Sequence, residues 1–141
     1  MRIELAGQMA LETRKRLQDE ARAIGISEEY IFKLVTDFYV KVRAHPELGP
    51  VFDDVILDNW PDHLQQMELF WTSIALRTGS YHGQPMPVHR SLTNAHPEHF
   101  KIWLDLFEQT LRETAPNPKV VDYFMGYANL MAERLSRVMF S

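Results

Sequence analysis

The sequence predicts an all-α protein, and three observations support that prediction. Apolar residues recur at intervals of three and four along most of the chain, and no stretch alternates with the period of two that a half-buried strand requires. Capping residues, glycines and prolines separate these periodic segments. The chain has 141 residues, which suits one domain. A domain of that size buries roughly two-thirds of the surface of its unfolded chain.

The first two predicted helices are separated by a stop signal and a start signal. Residues 5–24 carry an amphipathic pattern that Gly25 ends, because glycine readily takes the left-handed conformation found at helix C-termini. Ser27 is then a good N-cap for the second helix. That helix should stop by His45, because Pro46 disfavours helical geometry at the residue before it.

Three further long helices follow. Residues 46–58 are predicted to be a compact connection with short helical turns, since proline and glycine punctuate them. Asp58 or Asn59 could cap the third long helix. The fourth opens near Pro97, and the last covers about 119–139.

A long loop lies between the third and fourth long helices. Its glycines and prolines prevent residues 78–87 from forming regular helix, and a loop of this length is a candidate for function. A short helical piece over about 87–93 would follow and carry His89, on a turn that Pro87 makes rigid. A neutral imidazole held in this way is a suitable axial ligand for iron, although an exposed loop histidine would look the same in sequence.

Two other groups of histidines have alternative interpretations. His96 and His99 stand three apart near a helix start, so they either hold a metal weakly or are ordinary surface residues. His63 shares a helical strip with Met67 and Phe70. It is therefore either a boundary residue that reaches solvent or a polar group beside a pocket.

Composition excludes several classes of site. The chain has no cysteine, so disulfides, iron–sulfur clusters, cysteine-ligated zinc and covalently attached haem are ruled out. A reducing cytoplasm is the expected location. The N-terminus soon becomes charged, unlike a signal peptide, and no apolar run approaches the roughly 18 residues of a membrane span. A net charge of −4 gives little support to nucleic-acid binding.

Several short stretches, taken in order, resemble the group III truncated haemoglobins of bacteria. The resemblance covers about residues 28–138, and its most specific part is the loop that begins at Tyr81. The matching stretches are Phe38-Tyr39-Val40-Lys41-Val42-Arg43, Leu48-Gly49-Pro50-Val51-Phe52, His63 and Met67 with Phe70-Trp71, Tyr81-His82-Gly83-Gln84-Pro85, His89, and the run from His99 to Phe107.

The resemblance implies a two-over-two helical sandwich around haem b, with His89 as the proximal iron ligand. It places three hydrogen-bond donors on the distal side, where a gas binds: Tyr39, His63 and Trp103. The other implied haem contacts are Phe52 on the haem face, Met67 and Trp71 at the porphyrin or its edge, and Tyr81 and Arg90 on the proximal side or at the propionates.

The implied function is tight binding of O2, and also of NO and CO, at iron that has one protein ligand. Donors near the ligand stabilise the partial negative charge that O2 acquires on ferrous haem. The alternative is an enzyme that oxidises NO or consumes peroxide, for which a separate protein would have to be the reductase. A helical interaction domain without a cofactor is the third interpretation. Whether His63 also ligates the iron is left open.

The sequence departs from the family pattern at its N-terminus. Residues 1–26 are predicted to form an extra helix ahead of a truncated-globin domain over 27–141. This extension could pack on the globin, pair two chains or contact a partner, and the sequence does not choose among these.

Overall fold

The computed structural model describes residues 2–79, 81 and 95–140, and this part of the chain contains helices and no strand. The all-α prediction is therefore confirmed. None of the described helices is both long enough and apolar enough to cross a membrane. The helices are α1 (Arg2–Ala23), α2 (Glu28–Ala44), α3 (Leu48–Ile56), α4 (Trp60–Leu76), α5 (Pro97–Thr114) and α6 (Pro118–Phe140).

The helix boundaries follow the predicted signals closely. The Ser27 hydroxyl accepts a hydrogen bond from the backbone N–H of Tyr30 at 3.1 Å, so Ser27 caps α2 as predicted. α2 ends at Ala44, and His45 is its C-cap, immediately before Pro46. The connection that was expected to hold only short turns contains instead the nine-residue helix α3. The predicted short helix around His89 lies outside the described residues.

The core lies around α2, which packs against α3, α4 and α5. α5 and α6 form a second closely packed pair. Large side chains from these helices are fully buried at their meeting point, among them Phe38, Phe107 and Phe124. Burial of each such side chain is worth roughly 1.5–3 kcal/mol. The core therefore fixes the positions of α2, α4 and α5, which carry the predicted distal residues.

The N-terminal helix packs on α4 rather than projecting from the molecule. The Arg14 guanidinium donates from Nε to the backbone oxygen of Arg77, at the end of α4, at 2.6 Å, and Gln18 reaches the same oxygen at 3.4 Å. Ala21 and Ile26, at the other end of the extension, are buried in the common core. Of the possibilities that the sequence left open, the described contacts show packing on the globin.

Candidate functional site

Tyr39 is a buried phenol on α2. Its side chain is only 4% exposed, although its neighbour Phe38 occupies the centre of the apolar stripe. Burial raises the pKa of the Tyr39 phenol above its usual value, and hydrogen bonding with the Trp103 side chain opposes that rise. The indole N–H of Trp103 can only donate. The proton of the Tyr39 hydroxyl is therefore available to a second acceptor.

His63 lies in the second turn of α4, inside a group of aromatic rings. Its ring centroid is 5.0 Å from that of Tyr39 at an interplanar angle of 87°, and 5.5 Å from that of Trp60 at 89°. Phe52 of α3 is 6.3 Å away. His63 is half-buried. These edge-to-face contacts place the imidazole beside Tyr39.

Trp103 of α5 completes the group of predicted donors. Its ring is nearly parallel to Phe107, with centroids 5.3 Å apart and an angle of 14°, and meets Phe38 edge-on at 5.3 Å. Trp71 is also nearly parallel to Phe107, at 5.0 Å and 19°. Trp71 is 2% exposed and belongs to the core. Its contact with a porphyrin edge stays a prediction.

An apolar cleft lies beside these donors, between α3, α5 and α6. Phe52 and Trp103 are in its wall, and Tyr39 and His63 contact the ring of Phe52. The described residues that line the cleft are Leu48, Val51, Phe52, Ala95, His96, His99, Phe100, Trp103, Met131, Ala132, Leu135 and Met139.

The chemistry of this cleft fits haem. The lining is almost wholly apolar, which suits a flat hydrophobic ring. The phenol of Tyr39, the imidazole of His63 and the indole of Trp103 supply hydrogen-bond capacity at one side of it.

The remaining predicted haem contacts are less completely described. Met67 is half-buried and packs against the core. The Tyr81 ring lies 5.1 Å from Phe70 of α4, and its backbone N–H donates to the Ser73 hydroxyl at 2.8 Å. The predicted iron ligand His89 and its neighbour Arg90 lie outside the described residues.

Sequence reasoning gave no site role to Trp60, the first residue of α4, although its ring contacts the predicted distal residues. Its indole Nε1–H donates to Asp53 Oδ1 at 2.9 Å, and the Arg43 guanidinium lies over its ring at 4.4 Å. The available signal was general: the N–H of a buried tryptophan needs an acceptor. Nothing in the sequence indicated that Asp53, seven residues earlier, would be that acceptor.

The paired histidines His96 and His99 have a structural role at the start of α5. The backbone N–H of His96 donates to His99 Nδ1 at 2.9 Å, in the manner of the back-reaching side chain of a capping box. Over the described ranges, no group of three or more potential metal-ligating side chains comes together. Helix capping therefore accounts for the spacing that had suggested a weak metal site.

Known proteins resemble this chain in sequence and in fold. No model of a known protein family matches the chain. It is 33% identical over 118 residues to the group 3 truncated hemoglobin ctb of Campylobacter jejuni, a match that covers 82% of this chain and 92% of that protein.

Two crystal structures are similar to the fold. The group III truncated hemoglobin from Campylobacter jejuni matches with a TM-score of 0.77 at 33% identity, over 82% of this chain and 93% of that chain. A variant of the group II truncated hemoglobin from Bacillus anthracis matches with a TM-score of 0.65 at 23% identity, over 81% of this chain and 86% of that chain. The truncated-globin fold predicted from the sequence is confirmed.

Proposed function

Because the chain belongs to the group III truncated haemoglobins, we propose that it holds haem b in the apolar cleft and binds O2 tightly, with NO and CO as further ligands. The proposed iron has one protein ligand, His89. A single observation carries the proposal: Tyr39, His63 and Trp103, which stand far apart in sequence, lie together beside the cleft.

Two of the residues proposed to hold haem, Phe52 and Trp103, line the described part of the cleft. Haem supplies, when bound, an iron on which a diatomic ligand becomes partly negative. Phe52 supplies an aromatic ring to the cleft wall, and its position on α3 is consistent with packing on the haem face. The other residues proposed to contact the cofactor are Met67, Trp71, Tyr81 and Arg90.

Of the proposed distal residues, Tyr39 is the one whose side chain is almost fully buried. The hydroxyl of Tyr39 is the principal donor, because Trp103 already hydrogen-bonds to its oxygen and directs its proton elsewhere. Burial strengthens such a hydrogen bond, since the surroundings have a low dielectric constant. A donor that faces a partly negative ligand contributes roughly 1.5–3 kcal/mol. Slow release of O2 follows from this arrangement.

The absorption spectrum of the purified protein tests the proposal. We expect a Soret band that shifts when CO is added to the reduced protein, and its loss or weakening in His89→Ala. His45→Gln is the matched control, because the His45 imidazole accepts hydrogen bonds from the backbone N–H groups of Glu47 and Leu48 at the start of α3. A colourless protein that takes up no added haemin would refute the proposal.

We also propose that the chain has two parts. Residues 1–26 are an extension that braces the globin domain of residues 27–141. The hydrogen bonds from Arg14 and Gln18 to the end of α4 support this role. The haem-binding cleft, in contrast, is lined in its described part by residues from 48 onward.

A further inference from the structure

Trp60 lies beside two of the predicted distal side chains, Tyr39 and His63. It opens α4 and is 5% exposed. Its ring lies 5.9 Å from Tyr39, 6.5 Å from Phe52 and 5.5 Å from His63. A single side chain therefore contacts two of the proposed donors and also Phe52, which lines the cleft.

Two polar contacts hold the outer side of this tryptophan. Asp53 accepts the hydrogen bond from its indole N–H at 2.9 Å, and the guanidinium of Arg43 lies 4.4 Å from its ring centroid. Asp53 belongs to α3 and Arg43 to α2, so both neighbouring helices hold the ring. Hydrogen bonds to charged groups and cation–π contacts are among the stronger surface interactions. The hydrogen bond supplies the acceptor that the buried indole N–H needs, whereas core packing does not require the contact with Arg43.

The start of α4 depends on this anchoring. Its N-cap residue, Asn59, makes no side-chain hydrogen bond to the helix. A helix terminus without a side-chain cap leaves its first N–H groups poorly held. His63 lies three residues after Trp60, on the same face of the helix. The orientation of its imidazole therefore depends on how firmly the first turn is held.

We propose that Trp60 is a positioning residue, which fixes His63 and Tyr39 in the geometry that faces the bound ligand, and that Asp53 and Arg43 hold Trp60 in place. The inference rests on the proposed function, since it concerns the same distal side. The surface acid and base thereby influence the geometry of the proposed donors through Trp60.

Two variants test separately the ring of Trp60 and the acceptor of its hydrogen bond, Asp53. Trp60→Phe keeps a ring beside His63 and removes the N–H, whereas Asp53→Ala removes the acceptor and leaves the ring. The infrared stretching band of CO on the haem-loaded protein reports the donors around it, and both variants should shift or split that band. The O2 dissociation rate should rise about three- to tenfold in each, the effect of weakening one hydrogen bond.

The combined and conservative variants test the order of action. Because Asp53 acts through Trp60, the double variant Asp53→Ala with Trp60→Phe should be no faster in O2 release than Trp60→Phe alone. Asp53→Asn retains an acceptor oxygen, so its CO band should stay close to that of the wild type. Additive effects in the double variant would contradict a shared route.

Two controls distinguish positioning from general packing. Asp58→Ala removes another exposed acid ahead of α4 and should leave the CO band unchanged. Phe124→Leu shrinks a fully buried side chain that does not line the cleft, so it should lower stability without moving the band. A band that moves as far in Phe124→Leu as in Trp60→Phe would overturn the inference.

The same measurements distinguish an error in the positioning role of Trp60 from an error in the proposed function. His63→Leu and Tyr39→Phe remove the proposed donors directly. If they shift the CO band while Trp60→Phe and Asp53→Ala do not, the proposed function stands and the positioning role is wrong. If none of the four changes the band, the proposed distal side is wrong and the inference falls with it.

Discussion

At the scale of single residues, the chemistry of Tyr39 is decided by its surroundings. Burial raises the pKa of its phenol, so the hydroxyl keeps its proton throughout the neutral range. The neighbouring Trp103 hydrogen-bonds to it, and His63 stands edge-on at 5.0 Å. A tyrosine in these surroundings is a fixed donor, since neither rotation into solvent nor loss of its proton is easy.

Tyr39→Phe should therefore release O2 faster while leaving haem bound. Loss of one donor to a partly charged ligand is worth roughly 1.5–3 kcal/mol, which corresponds to a rise of about 10- to 100-fold in the dissociation rate. Stopped-flow displacement of O2 measures this rate. An unchanged rate, with an unchanged Soret band, would remove Tyr39 from the proposed donors.

The same residue should make stability sensitive to alkali. In the unfolded chain a tyrosine loses its proton near pH 10, whereas the raised pKa of buried Tyr39 retains it in the folded state. The unfolded state then binds fewer protons, so the free energy of unfolding falls as the pH rises above about 10. Denaturant unfolding at pH 9 and pH 11 should show a larger loss for wild type than for Tyr39→Phe. Equal losses would contradict this assignment.

At the scale of elements, α3 owes its position to a close approach to α2. Gly49 is buried near the start of α3, and a Cβ added there would lie 2.6 Å from the backbone oxygen of Arg43. Because that neighbour is backbone, it cannot move aside as a flexible side chain would. Glycine at position 49 thus lets α3 bring Phe52 against Tyr39, at a ring separation of 6.0 Å.

Gly49→Ala should destabilise the protein by about 1–3 kcal/mol, the usual cost of forcing extra volume into a packed contact. Gly126 of α6 offers a matched control, because a Cβ there would meet nothing within 4 Å. Gly126→Ala should stabilise the protein by roughly 0.5–1 kcal/mol, since alanine is the better helix former. Urea unfolding measures both. Changes of the same sign in the two variants would refute the close-approach argument.

At the scale of the whole molecule, α1 packs against the C-terminal end of α4, whereas the proposed distal residue His63 lies near the N-terminal end of that helix. Arg77 at the C-terminal end of α4 adopts a left-handed conformation, and its carbonyl oxygen accepts from Arg14 and Gln18. Leu17, between these two donors, is half-buried. The helix therefore stabilises α4 through a few contacts, while the described lining of the cleft comes from other helices.

Deletion of residues 2–20 should lower the free energy of unfolding by about 1–3 kcal/mol, comparable to losing one or two partly buried apolar side chains. The deletion spares Ala21 and Ile26, which belong to the core. The absorption spectrum of the haem-loaded protein should not change. Loss of haem binding in the shortened chain would show that the extension is part of the globin unit.

The order of residues alone was enough to predict the helices and the family. Periodic apolar positions, the cap at Ser27 and the prolines 46 and 97 act over a few residues, so they can be read directly from the order of residues. The ordered stretches from Phe38 to Phe107 identified the truncated globin in the same way. The length of α3 was missed, because the proline and glycine at its start read as turn signals.

The surroundings of each predicted donor depend on how the helices pack, which the sequence pattern does not show. The depth of Tyr39, the use of His99 as a helix cap and the anchoring of Trp60 by Arg43 and Asp53 depend on contacts between different segments. Such contacts leave no local periodicity, since each requires only a suitable side chain at the point where two helices happen to meet. Local rules thus specify the helices, and the way the helices pack specifies the environment of the site.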